Sequence, residues 1–311
     1  MATYSVKLAP NNASNATFQA WAAGVATALT TVGITRTTNT GDTNDFSIAN
    51  NWNPANITMT VPASNSFTYY EIRQFTDSLQ GTNPVYLKFE YGTGDGTSYY
   101  GLRITMGGGT NGSGTLTGFT STSCILQPAA AASATTYDCY FSSDGARLSI
   151  LLFAGLTSVS SAYTIGRTVS STFVPNSNGV NICAASSGGT TTTATNPIFQ
   201  QYVSEAGQGG ANPSSAQIQF TCAFNPVTNN QWGLNWGVLP IYPNVGYSDY
   251  PDCNMLVFIA EEYGGISESP VSITLYNGST PHTYIWTNTM KTSVMTTPIS
   301  AFQYNVFVRY E

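Results

Sequence analysis

Charge is what this chain has least of. Only 8% of its 311 residues are Asp, Glu, Lys or Arg, against roughly 25% in an ordinary soluble domain. The nine Lys and Arg are scattered singly from Lys7 to Arg309, and the net charge is −6. Without a basic cluster to collect phosphates, the sequence predicts no nucleic-acid partner. Histidine is nearly absent: His282 stands alone, with no G-x-S-x-G elbow beside it, so a Ser-His-Asp or Cys-His system has almost nothing to be built from. Five cysteines, Cys124, Cys139, Cys183, Cys222 and Cys253, form no C-x-x-C pair. That spacing excludes a zinc site of Cys/His type and predicts buried free thiols of a reducing cytosol. Long apolar runs are missing as well. The longest, Ala20 to Leu29, falls far short of the roughly 20 residues a membrane span needs, and Met1 to Lys7 carries no apolar signal core, which predicts a chain folded where it is made, with no membrane insertion.

What fills the space is apolar residues, 41% of the chain, with Thr, Ser, Asn and Gly. This is ample for a core. Such a chain meets water with hydroxyls and amides, which suit β-structure and broad neutral contact surfaces. One helix is predicted near the N-terminus: Phe18, Trp21, Val25, Leu29 and Val32 recur three and four residues apart, Asn15 can cap the start, and Gly33 falls at C′. A stripe at that spacing faces its own core, here one end of a β-sandwich.

Beyond the helix the apolar period is two. Val85, Leu87, Phe89 and Tyr91 alternate with Tyr86, Lys88 and Glu90, and Ile218, Phe220, Cys222 and Phe224 alternate with Gln217, Gln219 and Thr221. Similar segments run Asn56 to Val61, Phe67 to Phe75, Tyr99 to Met106, Tyr137 to Phe141, Arg147 to Phe153, Ala162 to Val169, Gly179 to Cys183, Phe199 to Val203, Asn254 to Ala260, Val271 to Leu275, Pro281 to Trp286 and Phe302 to Tyr310. Asp144-Gly145 and Asn277-Gly278 sit where hairpins want positive φ. With about fourteen strands and one helix, the predicted fold is all-β, an antiparallel β-sandwich or jelly-roll-like unit with one short N-terminal α-helix. Three stretches read as loops: Gln127 to Thr136, Ser186 to Asn196 and Ala206 to Ser215. The first separates a lobe over 1–128, helix included, from a second over 137–311, unless the two form one continuous β-unit.

No catalytic, cofactor-binding or metal-binding set is predicted. Glu261 and Glu262 are adjacent and would point to opposite faces of a continuing strand. Asp42 and Asp45 lie in a polar loop that lacks the length and terminal Glu of an EF-hand. Gly107 to Gly114 follows a strand but has no G-K-[ST] and no following helix, so it is read as a flexible inter-strand loop, not a phosphate cradle. Glu71 and Arg73 share one strand face and Lys88 and Glu90 another; if the strands pair, the four predict one cross-strand network on a solvated face. The candidate interaction aromatics are Trp52, Trp232, Trp236 and Trp286, able to stack on sugars or anchor neighbouring subunits.

Several segments resemble tailed-bacteriophage virion structural proteins of tail, baseplate and fibre regions. They are Tyr70-Glu71-Ile72-Arg73-Gln74-Phe75-Thr76-Asp77-Ser78-Leu79-Gln80, Pro84-Val85-Tyr86-Leu87-Lys88-Phe89-Glu90-Tyr91-Gly92, the glycine-rich stretch Gly107 to Gly118, and Ile165-Gly166-Arg167-Thr168-Val169. The resemblance implies a virion component without catalytic residues, assembled in the host bacterial cytoplasm. Its implied partners are other virion proteins and its own copies, in a closed trimer or hexamer. A capsid decoration protein would share the composition. A glycan-binding or glycan-cleaving adhesin would use the Trp and Tyr surface on a host-surface glycan.

Overall fold

The computed structural model describes residues 1–9, 14–37, 60–64, 66–93, 100–120, 123–127, 136–154, 161–167, 179–185, 198–203, 238–240, 256–260, 272–277, 280–291 and 303–311. Within them the chain is mostly β, with antiparallel sheets in a sandwich-like arrangement and a single helix. The expected strands at Ile218 to Phe224 and most of Asn56 to Val61, the loops at Ser186 to Asn196 and Ala206 to Ser215, most of Gln127 to Thr136, the Asp42/Asp45 loop and the Glu261/Glu262 pair lie outside the described residues.

Helix α1 (Asn15–Thr31) is capped one residue earlier than expected from sequence. Ser14 is the N-cap, its Oγ accepting from the Thr17 amide at 3.2 Å, while Asn15 opens the helix and turns its Oδ1 to the Val61 amide at 2.9 Å. The other end closes as a Schellman motif: Gly33 adopts φ 87°, its amide bonds to the Thr30 carbonyl, and that of Ile34 bonds to Leu29, both at 3.0 Å.

One sheet, order β1-β8-β9-β10-β11-β12, is made of β1 (Ala2–Leu8), β8 (Tyr137–Ser143), β9 (Arg147–Ala154), β10 (Ser161–Arg167), β11 (Gly179–Ala185) and β12 (Ile198–Val203). A second, order β2-β3-β4-β5-β6, comprises β2 (Thr35–Arg36), β3 (Ser66–Gln74), β4 (Tyr86–Thr93), β5 (Tyr100–Thr110) and β6 (Leu116–Thr120), with β7 (Cys124–Leu126) also paired to β5. A third, order β13-β14-β17-β16-β15, contains β13 (Val238–Pro240), β14 (Leu256–Ala260), β15 (Ser272–Asn277), β16 (Thr280–Lys291) and β17 (Gln303–Arg309). β1 thus joins the sheet of β8, across the stretch expected to divide two lobes.

The main core lies between the first two sheets with α1 packed into it. Phe141, Leu148, Ile150 and Tyr163 from the first sheet, Leu87, Phe89, Leu102 and Ile104 from the second, and Trp21, Val25 and Leu29 of the helix belong to one buried cluster. Period-two alternation delivers this: Phe141 pairs with Ile150 and Ile150 with Tyr163, so one face of three strands is apolar. The opposite face is also buried at β9 and β10, where Ser149 and Thr164 hydroxyls bond at 3.1 Å. The third sheet meets the first here, with β9 in contact with β16 and β17 and the Tyr140 and Tyr310 rings edge-on at 5.4 Å.

The hairpins expected at Asp144-Gly145 and Asn277-Gly278 are present, pairing Ser143 with Leu148 and Asn277 with Thr280. The glycine-rich stretch corrects its expected reading as a flexible loop. Gly107 to Thr110 continue β5, and the reversal is a tight turn in which the Asn111 Oδ1 accepts from the Ser113 and Thr115 amides at 2.8 and 3.1 Å. The physical reason is packing across the hairpin: a Cβ on Gly107 would stand 2.9 Å from that of Leu116, and one on Gly109 would stand 2.6 Å from Thr117 Oγ1.

Candidate functional site

The polar residues singled out on β3 and β4 do come together, but as two separate clusters on opposite faces of their sheet. Directly opposed residues of antiparallel strands share a face. Glu71 lies opposite Phe89 and Arg73 opposite Leu87, which turns both inward, whereas Lys88 opposes Ile72 and Glu90 opposes Tyr70 on the outer face. The single solvated network expected from sequence is therefore replaced by a buried cluster and an outer one.

In the buried cluster Glu71 Oε2 meets Arg36 Nε at 3.0 Å and Arg73 Nη2 at 2.9 Å, and the Tyr91 hydroxyl donates to Glu71 Oε1 at 2.5 Å. Arg73 has no exposed side-chain surface. It donates to the Ile34 carbonyl at 2.7 Å, the Ala26 carbonyl at 2.8 Å and the Thr30 hydroxyl at 3.0 Å. A cation thus sits beside the C-terminal end of α1, where the helix dipole is negative. Burial pushes the Glu71 carboxyl up, but Arg73, Arg36 and the hydrogen bonds outweigh it and hold the group below its ordinary range. Burial, and then the Glu71 charge, push the Tyr91 hydroxyl well above its own. Both Glu71 oxygens are occupied by side chains of the fold, so the arrangement is a fastener between helix and sheet.

The outer cluster centres on Glu90. Arg103, directly opposite on β5, donates through Nε and Nη2 at 2.7 Å each, a forked pair, and Lys88 Nζ stands 3.5 Å away. The bond to Glu90 raises the Arg103 pKa despite partial burial. Two aromatic faces are covered by these cations: Lys88 Nζ lies 4.5 Å from the Tyr70 ring centre and the Arg103 guanidinium 4.8 Å from that of Phe67.

The expected helix face, Phe18, Trp21, Val25, Leu29 and Val32, is buried throughout. Phe18 packs on Tyr100 at 5.3 Å between ring centres, and Trp21 on Tyr100 and Tyr91 at 5.6 and 6.0 Å. Of the candidate interaction aromatics, Trp52, Trp232 and Trp236 lie outside the described residues, while Trp286 is in β16 opposite Phe307, next to a break in register. Cys124 and Cys139 are buried free thiols, and burial pushes that of Cys124 up to about 12. Among the described residues no three His, Cys, Asp or Glu gather as metal ligands, and no helix is long and apolar enough to cross a membrane.

Sequence reasoning missed Arg36, Tyr91 and Arg103. Arg103 alternates with Leu102 and Ile104, and pairing its strand with β4 would have found Glu90. No local signal ties Arg36 to Glu71, 35 residues later. No family model matches the chain, and neither a curated protein nor a solved structure matches it.

Proposed function

We propose that the chain is a non-enzymatic structural subunit of a tailed-bacteriophage particle, a tail, baseplate or fibre-associated component that works through contacts with its own copies and with neighbouring virion proteins. One observation carries the structural half of this reading. Lys7, Arg36, Arg73, Lys88, Arg103 and Arg147 each pair with a carboxylate of the same fold, so none of these six cations is left as an isolated charge. The surface of β1 is mostly neutral, with Thr3 and Ser5 exposed and Lys7 its single charge, paired with Asp138. Neutral hydroxyl-bearing faces can be covered by another protein without stripping water from isolated charges. The phage assignment rests on the resemblance of the β3, β4, β5–β6 and β10 segments.

Electron microscopy of intact particles labelled with an antibody to the chain tests the placement. Label along the tail or baseplate is the expected result. Label over the head would replace that placement with capsid decoration, and particles without the chain would end the virion reading.

A further inference from the structure

We propose that the free edge of β1 pairs antiparallel with the β1 edge of a second copy, joining two six-stranded sheets into one. This deepens the self-assembling part of the function proposed above and rests on it. Among the described residues β1 is the outermost strand of its sheet and is bonded on one side only, to β8, in unbroken register from Ala2↔Ser143 to Leu8↔Tyr137. Unprotected edges of this kind recruit further strands, and proteins blunt them by shortness, proline or bulges. Of the other edges among the described residues, β2 has two residues, β13 has three and ends in Pro240, and β6 meets β5 through a register shift, whereas β12 and β15 run six residues each in unbroken register. β1, with seven residues and no proline, glycine or bulge, is the longest of these three regular edges.

The occupant is indicated by the strand's own sequence. A two-fold axis through Ser5 sets Ser5 against Ser5 of the second copy, Tyr4 against Val6, Thr3 against Lys7 and Ala2 against Leu8. The alternation then matches on both faces. Tyr4 and Val6, which pack against the core beside α1, would meet their counterparts as an aromatic against a β-branched residue, a favourable cross-strand combination. Thr3, Ser5 and Lys7 would form the polar face, where all three are exposed. Lys7 is the strand's one charge and is already paired with Asp138 at 3.0 Å, and the register never opposes it to its own copy. Such an isologous contact closes on itself and leaves neither β1 edge open.

Cross-linking of the full chain tests this register. Opposed Cα atoms in an antiparallel pair are about 4.5–5.5 Å apart, within disulfide reach, so Ser5→Cys should give a covalent dimer rapidly under mild copper–phenanthroline oxidation. Thr3→Cys should not, because its own copy lies about 13 Å along the strand. The wild-type chain reports any linkage through native thiols. By native mass spectrometry the wild type should be even-numbered, and Ser5→Lys, which sets two ammonium groups face to face on an exposed position, should halve that mass with an unchanged circular dichroism spectrum. Equal cross-linking of Ser5→Cys and Thr3→Cys, an unshifted mass for Ser5→Lys, or a strict trimer would overturn the edge pairing while leaving self-assembly intact. A wild-type chain that stays monomeric across micromolar concentrations would overturn both.

Discussion

Arg73 donates from Nη2 to the Ala26 carbonyl, 47 residues earlier in the chain, at 2.8 Å. Through that bond a charge on the inner face of β3 holds the last turn of α1, and Glu71 beside it keeps the charge compensated. Helix and sheet are therefore joined by polar groups inside an otherwise apolar layer.

Removing one side of a buried pair costs more than removing both, because the survivor keeps its desolvation penalty. Arg73→Met is expected to destabilise the fold by about 3–5 kcal/mol in urea titrations. Adding Glu71→Leu to it should recover part of that loss. A double variant less stable than Arg73→Met would show that Glu71 is not the stranded partner.

Acid should act through the same carboxylate. The folded-state pKa of Glu71 lies below the ordinary 4.5, so its contribution is fully present above that value and is lost as pH falls through the folded pKa. Wild-type stability is expected to fall more steeply below pH 4.5 than that of Glu71→Gln. Parallel stability curves between neutral pH and the acid limb would contradict this.

Gly92 and Gly24 offer a contrast in packing. A Cβ on Gly92 would meet the Ser66 carbonyl and stand 2.7 Å from Phe67 Cα, backbone that cannot step aside, whereas on Gly24 it would meet only the end of the Leu8 side chain. Gly92→Ala is expected to cost about 1–3 kcal/mol by overpacking. Gly24→Ala should cost less, since helix propensity returns roughly 1 kcal/mol. Thermal unfolding of the two variants decides the order.

The thiols at Cys124 and Cys139 should resist iodoacetamide in the folded chain at pH 8. Both are buried, and Cys124 is pushed up to about 12, which leaves almost no thiolate. Peptide mass mapping should find both alkylated only after denaturation. Rapid labelling of the native chain would mean that the layer between the sheets opens readily.

Much of the architecture was legible in local pattern. The stripe Phe18, Trp21, Val25, Leu29, Val32 marked the helix and its buried face, and alternation marked β3, β4, β8 and β9 within a residue or two of their ends and the start of β5, whose last four residues it missed. Asp144-Gly145 gave its hairpin, with Gly145 at φ 86°. The strand β1 was legible too, since Ala2, Tyr4, Val6 and Leu8 alternate with Thr3, Ser5 and Lys7, although it is absent from the expected strands; β8 supplies its hydrogen bonds. β2 has no pattern of its own and exists as an appendage of β3.

Within the sequence, the spacing of apolar residues determined which segments become strands and which face of each is apolar, because those periods belong to the backbone itself. Only the tertiary structure decided that Glu71 and Arg73 point into the core, on the opposite face of the sheet from Lys88 and Glu90. That choice depends on which residue of β3 stands opposite which residue of β4, and on the helix that brings the Ala26 and Ile34 carbonyls to meet Arg73. Register and helix placement join residues far apart in the chain, and no local period encodes them.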